Sequence, residues 1–437
     1  MRLSLILTAL VVLAALVVSG AADEINGESV DSSIVSVEPG TERSIFSSYK
    51  IMDYQVIDKF SPDSIHIAYA LRDDAGYWYY VIAGPEGEIT ETAYENVHDF
   101  VFSPDEEHYA YEAYNGNKWV AVIDGSEGQE YDDVLNYIVF SHDGERYAYS
   151  AKKDGQMFMV VDGSEYGPYK AASDPIISFG GQHVLYTMVE EGNDQYVVVD
   201  GEVQELMGGS PVVSPEGSRW AYSFYSFYSG SPCYIVLDGE VIDLGKDESN
   251  RVAQMVFSPM GTRFAYVLVP GGEAYGDAIV VVDGVPGESY HDPGVGTIVF
   301  SLDESTVAYW AKAEDGGFVM VVNGEEGKIY NKIGDPVTSP DGSHVAYIVE
   351  ESDGVFVVLD GIEGNKYGSI WDLTFSLDGR LAYAASDTRE EGVVHLVVVD
   401  GQEDQTYRTN WHFQGIRSDL AFSPDGEHIA YLANDAG

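Results

Sequence analysis

NYIVFSHDGERYAYSAKKDGQMFMVVDGSEYGPYK, residues 136–170, is the stretch on which the reading of this chain turns. Asn136 to Phe140 is a short run of β-branched and aromatic residues that stops at Ser141-His142-Asp143-Gly144. Elsewhere the same turn is Ser-Pro-Asp-Gly, as at Ser339-Pro340-Asp341-Gly342 and Ser423-Pro424-Asp425-Gly426. Proline presets φ at the first central position, aspartate bonds its own backbone, and glycine takes the position that needs φ > 0. The chain therefore reverses into a second strand, Arg146 to Ser150, and a polar loop leads to a third at Met157 to Val161. Asp162-Gly163 is then a tight hairpin signal, and a fourth strand runs towards Tyr169.

That unit recurs along the chain. Its serine position falls at Ser61, Ser103, Ser141, Gly180, Ser214, Ser258, Ser301, Ser339, Ser376 and Ser423. The hairpin returns as Asp124-Gly125, Asp200-Gly201, Asp238-Gly239, Asp283-Gly284, Asn323-Gly324, Asp360-Gly361 and Asp400-Gly401, with Ala83-Gly84 in the first repeat. Four short antiparallel strands per period of about forty residues is the content of one β-propeller blade. No segment has the 3.6-residue apolar period of a helical solenoid. The Ser-Pro-Asp-Gly turn, the x-x-x-Ala-Tyr strand after it and the Val-Val-Asp-Gly strand end resemble the TolB-like propeller repeats, relatives of the WD-repeat propellers. The resemblance covers nearly all the chain beyond residue 50. It implies a fold and little about activity, because propellers host many unrelated functions.

The expected fold is all-β: a propeller of about nine to ten four-stranded blades over residues 23–437. Repeats begin near 56, 98, 136, 175, 210, 253, 296, 335, 371 and 418. The chain stops two strands into its last repeat. Ser33 to Gly40 and Ser44 to Phe46 read as the third and fourth strands of a worn one. Together the two ends would complete one blade and close the ring. Two smaller propellers divided near Phe179-Gly180-Gly181-Gln182 are the alternative.

Residues 1–22 read as an export signal: Arg2, an apolar run from Leu3 to Val18, and Ser19-Gly20-Ala21-Ala22 before Asp23. The run is shorter than the roughly 20 residues of a spanning helix. An uncleaved N-terminal anchor is the alternative, and no second stretch approaches spanning length. The single cysteine, Cys233, excludes an intramolecular disulfide. Seventy-three acidic residues against 22 Lys and Arg give a net charge of −51, spread through every repeat. Charge on that scale repels itself unless salt screens it, so the expectation is an exported protein of a high-salt environment. An acidic surface that attracts cations or a basic partner is the rival. Nucleic acid is a poor partner, because phosphate binding needs clustered Lys and Arg.

Two before the alanine of each Ala-Tyr stand His66, His108, Arg146, His183, Arg219, Arg263, Thr306, His344, Arg380 and His428. They read either as donors lining an anion channel or as partners of the acid three residues earlier, such as Asp143 or Asp341. Met260 occupies that acid position before Arg263 and leaves it unmatched. No stretch offers the ligand spacing of a calcium loop, and the histidines occur singly, so no metal or other cofactor is expected. The nucleophile elbow Gly-x-Ser-x-Gly is absent, and an abundance of acids gives any carboxylate pair no weight. Candidate binding residues are Phe224, Tyr225, Phe227 and Tyr228, in an aromatic insertion, and Trp411, His412 and Phe413, in a lengthened connection. Loops that break a repeat's pattern are free to carry binding. The expected function is therefore a non-enzymatic binding or scaffold protein of the cell envelope, holding a protein or glycan. A glycan-active enzyme and a structural coat component are the alternatives.

Overall fold

The computed structural model describes residues 35–38, 41–44 and 59–431, except 63–64, 86, 225–232, 246–249, 272–276, 291–294, 315, 390–391, 409–419 and 424. They fall into two compact units that divide between Val134 and Leu135, inside the strand Asp133–Phe140 and not at residues 179–182. Among the described residues there is no helix. The repeating element of both units is a four-stranded antiparallel meander with its strands hydrogen-bonded in chain order. The first unit holds blade 1 (59–90) and blade 2 (96–131). The second holds blades 3 (133–169, apart from its first residues), 4 (171–207), 5 (209–243), 6 (251–290), 7 (299–330), 8 (332–363) and 9 (369–408). In blades 4 and 8 the first strand is broken into two pieces that both pair with the second strand. These nine blades make the chain a β-propeller repeat protein.

Each end adds a hairpin. Val35–Glu38 pairs with Thr41–Ser44, with Glu38 opposite Thr41. Ala421–Phe422 pairs with Ile429–Ala430. Each hairpin pairs within itself among the described residues.

The turns follow from their residues. At every Asp-Gly or Asn-Gly hairpin the first residue has φ between 48° and 52°, and the flanking residues pair directly, as Val161 does with Ser164. Two consecutive positive φ angles make a two-residue turn whose twist matches the strands, and Asp or Asn followed by Gly tolerates them best. Blade 1 lacks this pair: Gly84, which the sequence suggested as a turn residue, is itself paired, opposite Gly87. In the other turn the serine is the fixed point. Ser103, Ser141, Ser214, Ser258, Ser301, Ser339 and Ser376 are almost fully buried. Each accepts the backbone N–H of the residue just before the second strand, as from Arg146 to Ser141 Oγ at 3.0 Å. In blade 4 that serine is Ser178, which accepts the N–H of His183 at 2.9 Å, and not position 180. The repeat there has lost its Pro-Asp but kept Gly181 in the left-handed region, at φ 66°.

Blades stack through the second and third strands, whose apolar residues are buried on both faces. Ala68, Ala110, Ala148, Ala221, Ala265, Ala308, Ala346 and Ala382, the alanines of the Ala-Tyr signature, have no exposed surface. A larger side chain there would overpack the joint. The tyrosine that closes one blade meets the signature tyrosine of the next: Tyr290 with Tyr309, Tyr330 with Tyr347 and Tyr367 with Tyr383 cross edge-on at 6.2–6.4 Å. Their hydroxyls then donate to glutamates of the next blade's fourth strand, Glu326, Glu363 and Glu403, at 3.0–3.2 Å.

Candidate functional site

The repeated cationic position resolves first. Its partner is the hairpin aspartate and not the acid three residues earlier. Arg146 Nε donates to Asp162 Oδ2 at 2.9 Å, Arg219 to Asp238 and Arg263 to Asp283 at 2.8 Å, and Arg380 to Asp400 at 2.9 Å. His108, His183 and His344 use Nδ1 on Asp124, Asp200 and Asp360 at 2.6–2.8 Å. The other oxygen of each aspartate accepts the next backbone N–H, as Asp162 Oδ1 does from Tyr147 at 3.0 Å. Each arginine also reaches the following blade: Nη1 donates to the carbonyl of Gly181, Gly261, Glu304 or Gly426 at 2.8–3.0 Å. Arg219, Arg263 and Arg380 lie over Phe257, Phe300 and Phe422 of that blade at 5.2–5.8 Å. Where Thr306 replaces the cation, Asn323 replaces the aspartate, and Thr306 Oγ1 donates to Gly342 O at 2.7 Å. The arginines and Thr306 are therefore clamps between blades, and the histidines fasten the second strand to the hairpin of their own blade.

The acid three residues earlier has a different task. Asp143 Oδ1 accepts from Ser141 Oγ at 2.6 Å, and Asp303, Asp341 and Asp105 accept from Ser301, Ser339 and Ser103 at 2.5–2.7 Å. At Met260 the acid arrives from the next blade. Glu304, at φ 63° and 7% exposed, accepts from Ser258 Oγ, from Thr262 Oγ1, and from the Met260 N–H at 2.6 Å. Burial opposes the charge of Glu304, but the hydroxyls of Ser258 and Thr262 and the N–H groups of Met260 and Thr262 outweigh it and hold the carboxyl below its ordinary range.

Both repeated turns, first-to-second and third-to-fourth strand, lie on one edge of each blade. The opposite edge carries the second-to-third strand loops and the connections between blades, and there the second unit opens a cleft of about 440 Å3. Gln254, Val267, Val269 and Ala278 of blade 6 line one side; Thr297 and Trp310 of blade 7 and Asp335 of blade 8 line the other. Asp335 holds it in shape, accepting from Trp310 Nε1 at 2.8 Å and from Thr297 Oγ1 at 3.2 Å. A flat indole, an amide, a hydroxyl and a carboxylate along an apolar trough can stack on and hydrogen-bond to a polar ligand. At the same edge of blade 9, Trp371 and His395 meet edge-on at 5.9 Å beside a smaller hollow of about 230 Å3. Burial pushes the His395 imidazole below its usual pKa, and its buried Nδ1 has no partner.

In blade 2 of the first unit, the same edge bears His98, Asp99 and Glu112. Among the described residues this is the set of His and carboxylate side chains whose ligand atoms converge, all within 4.8 Å of one another. His98 and Glu112 face each other across the first and second strands, and a bulge between His98 and Val101 brings Asp99 round beside His98. His98 Nδ1 stands 2.7 Å from Asp99 Oδ2 and 3.3 Å from Glu112 Oε2. Burial, then the charges of Asp99 and Asp133, push Glu112 up to about 8.

Of the binding residues suggested by sequence, Phe224 ends the second strand of blade 5 and packs on Tyr234 at 5.3 Å, 26° from parallel. Tyr225, Phe227, Tyr228, Trp411, His412 and Phe413 lie outside the described residues. The cleft and the His98 set were missed. A signal for both existed in the residue after Ala-Tyr: Ala70, Ser150, Thr187, Ser223, Val267, Ile348 and Ala384 are small or aliphatic, whereas blade 7 has Trp310 and blade 2 has Glu112.

No family model matches the chain, and no curated protein sequence matches it. Solved structures are similar at low identity. A eukaryotic initiation factor shares 12% identity over 78% of this chain and 96% of its own, with a TM-score of 0.40. TolB from Acinetobacter baumannii shares 18% over 52% of this chain and 64% of its own, at 0.25. The Dos1 propeller shares 12% over 67% and 88%, at 0.33. Likenesses this distant carry neither a family nor an activity, and the propeller repeat rests on the chain's own blades. No described helix is long and apolar enough to cross a membrane.

Proposed function

We propose that this is an exported, non-enzymatic binding protein of the cell envelope, built of TolB-like propeller repeats, that holds a glycan or protein segment on the edge opposite its repeated turns. One observation carries this reading: the repeated polar side chains of the turn edge bond within and between blades, while the opposite edge opens the cleft of Trp310, Asp335, Thr297 and Gln254. An indole face flanked by hydroxyl, amide and carboxylate groups suits a sugar ring, which offers C–H groups to the aromatic and hydroxyls to the rest. Hydrolysis by a carboxyl pair would need a second acid about 5–10 Å from the first. Asp335 is the one carboxylate among the described residues lining this cleft, which favours binding. The test is a glycan array at molar NaCl, followed by titration of any hit. Trp310→Ala should weaken binding at least tenfold, and Arg146→Ala, on the turn edge, should leave it unchanged. Equal binding by wild type and Trp310→Ala would move the ligand elsewhere.

A further inference from the structure

Glu112 stands where the other blades place neutral side chains, and its surroundings do not explain a carboxylate. Its residue is 1% exposed, Oε2 is shared with His98, and Oε1 is buried with no hydrogen-bond partner. Asp99 lies beside the same imidazole nitrogen, and Asp133 adds further negative charge. Two carboxylates and an imidazole nitrogen turned toward one another, in a protein of net charge −51, leave a concentrated negative site with one oxygen unspent. Buried charge without a partner costs several kcal/mol, so the position calls for a proton or a cation.

The geometry distinguishes between cations. Zinc-like ions bind His nitrogen and carboxylate oxygen at about 2.0–2.2 Å, which sets neighbouring ligand atoms about 2.8–3.6 Å apart. The separations from His98 Nδ1, 2.7 Å and 3.3 Å, sit close to that range. Calcium prefers six to eight oxygens, a set that two carboxylates and an imidazole do not approach. Trp119 packs on the His98 ring at 4.6 Å and Tyr114 packs on Trp119 at 5.2 Å, so an aromatic wall fixes the imidazole's orientation. The side chains of His98 and Asp99 are 35% and 39% exposed against 2% for Glu112, so the site is anchored inside and open to water outside.

We propose that His98 Nδ1, Asp99 and Glu112 form a binding site for one divalent transition-metal ion of the zinc or manganese type, with water completing the coordination. The site is separate from the cleft of the proposed function and stands or falls independently of it.

The test uses the mature full-length protein, stripped with chelator and dialysed against Zn2+ or Mn2+ in molar NaCl, where diffuse attraction to surface acids is screened. One ion per chain should bind, with Ca2+ and Mg2+ at least 100-fold weaker, and bound Mn2+ should show 14N coupling by pulsed EPR. Glu112→Gln should keep the wild-type melting temperature in chelator, because the amide keeps the size and shape of the buried side chain. It should lose at least 100-fold in metal affinity. His98→Ala should abolish the 14N signal, and it decides the matter if Glu112→Gln fails to fold. Stoichiometry well below one, or unchanged affinity in both variants, would overturn the proposal.

Discussion

Glu304 offers a quantitative test of the idea that turn chemistry passes from one blade to the next. Its carboxylate performs for Ser258 the role that an aspartate of the same turn performs for Ser141 and Ser339. Met260, at the vacant aspartate position, is 56% exposed, so a polar residue can enter there without a burial penalty. Glu304→Gly removes three hydrogen bonds to a charged acceptor. At about 1.5 kcal/mol each, and with a large share returned because the carboxylate no longer has to be desolvated, the loss is about 2–3 kcal/mol. Glycine also relieves a left-handed φ of 63°, which returns about 1 kcal/mol. The single variant should therefore lose about 1–2 kcal/mol. Met260→Asp alone sets a second carboxylate against Glu304 and should cost about 1 kcal/mol. Together the substitutions recreate Ser-Pro-Asp-Gly within blade 6 and glycine in blade 7, and should return to within about 0.5 kcal/mol of wild type. The coupling energy is then about 2 kcal/mol, well above the scatter of independent sites. Calorimetry at fixed molar salt reads each variant; for a unit of about 300 residues, 1.5 kcal/mol corresponds to a shift of about 2–3 °C. The effect has a pH signature. The folded pKa of Glu304 is depressed, so its contribution is full above the ordinary carboxyl range and fades as pH falls through the folded value. The gap between wild type and Glu304→Gly should close below about pH 4. A double variant as unstable as the sum of the singles would refute the reasoning.

Other expectations follow from the same structure. Arg146→Ala and Arg263→Ala should each cost about 1 kcal/mol, with Arg263 at least as costly, since it has its aspartate, its carbonyl and the ring of Phe300. A partner three residues earlier would have made Arg263 the cheaper, and thermal melts separate the two outcomes. The melting temperature should rise steeply from dilute buffer to molar NaCl or KCl, as the screening length falls from about 30 Å at 0.01 M to about 3 Å at 1 M. A flat series would remove the halophile reading. Mass spectrometry of protein recovered outside the cytoplasm should find Asp23 at the N-terminus; a chain retaining residues 1–22 would support an anchor instead.

The blade was legible in sequence because its turns are chemically narrow. Asp-Gly or Asn-Gly at two consecutive positive φ angles and a serine placed to cap a strand leave few substitutes, so the hairpin pair survives in blades 2 to 9 and the serine in all nine. Pairings across blades were less legible. The cation was visible at each repeat, but its partner lies 16 to 20 residues later and its second contact about forty residues on, as from Arg219 to Asp238 and Gly261. A reading that looked for partners across one turn chose the acid three residues away. Blade 4 shows the same limit: its turn has lost Pro and Asp, and only the hydrogen bonds of Ser178 and Gly181 reveal that the serine position is 178 and not 180. The His98 set was invisible to motif spacing, since its members come together only through strand register and a bulge.

The acidity of the chain divides into two kinds of carboxylate. Hairpin aspartates such as Asp162 accept a cation and a backbone N–H; turn aspartates such as Asp341 accept a buried serine; fourth-strand glutamates such as Glu326 accept a tyrosine of the preceding blade. The hydroxyls of Ser339 and Ser343 and the Ser343 N–H hold Asp341 at about 2, below its ordinary value, so it stays charged at neutrality and in mild acid. These acids are joints of the fold, and added salt should change their contribution little because their partners are at hydrogen-bond distance. The remaining acids have too few cations to pair with, since only 22 Lys and Arg exist and the clamp arginines are already engaged. Their repulsion acts over many ångströms and is the part that salt screens. The steep salt dependence expected of this protein therefore belongs to its unpaired surface acids. The blade joints should persist in dilute buffer until that repulsion exceeds what the apolar second and third strands hold together.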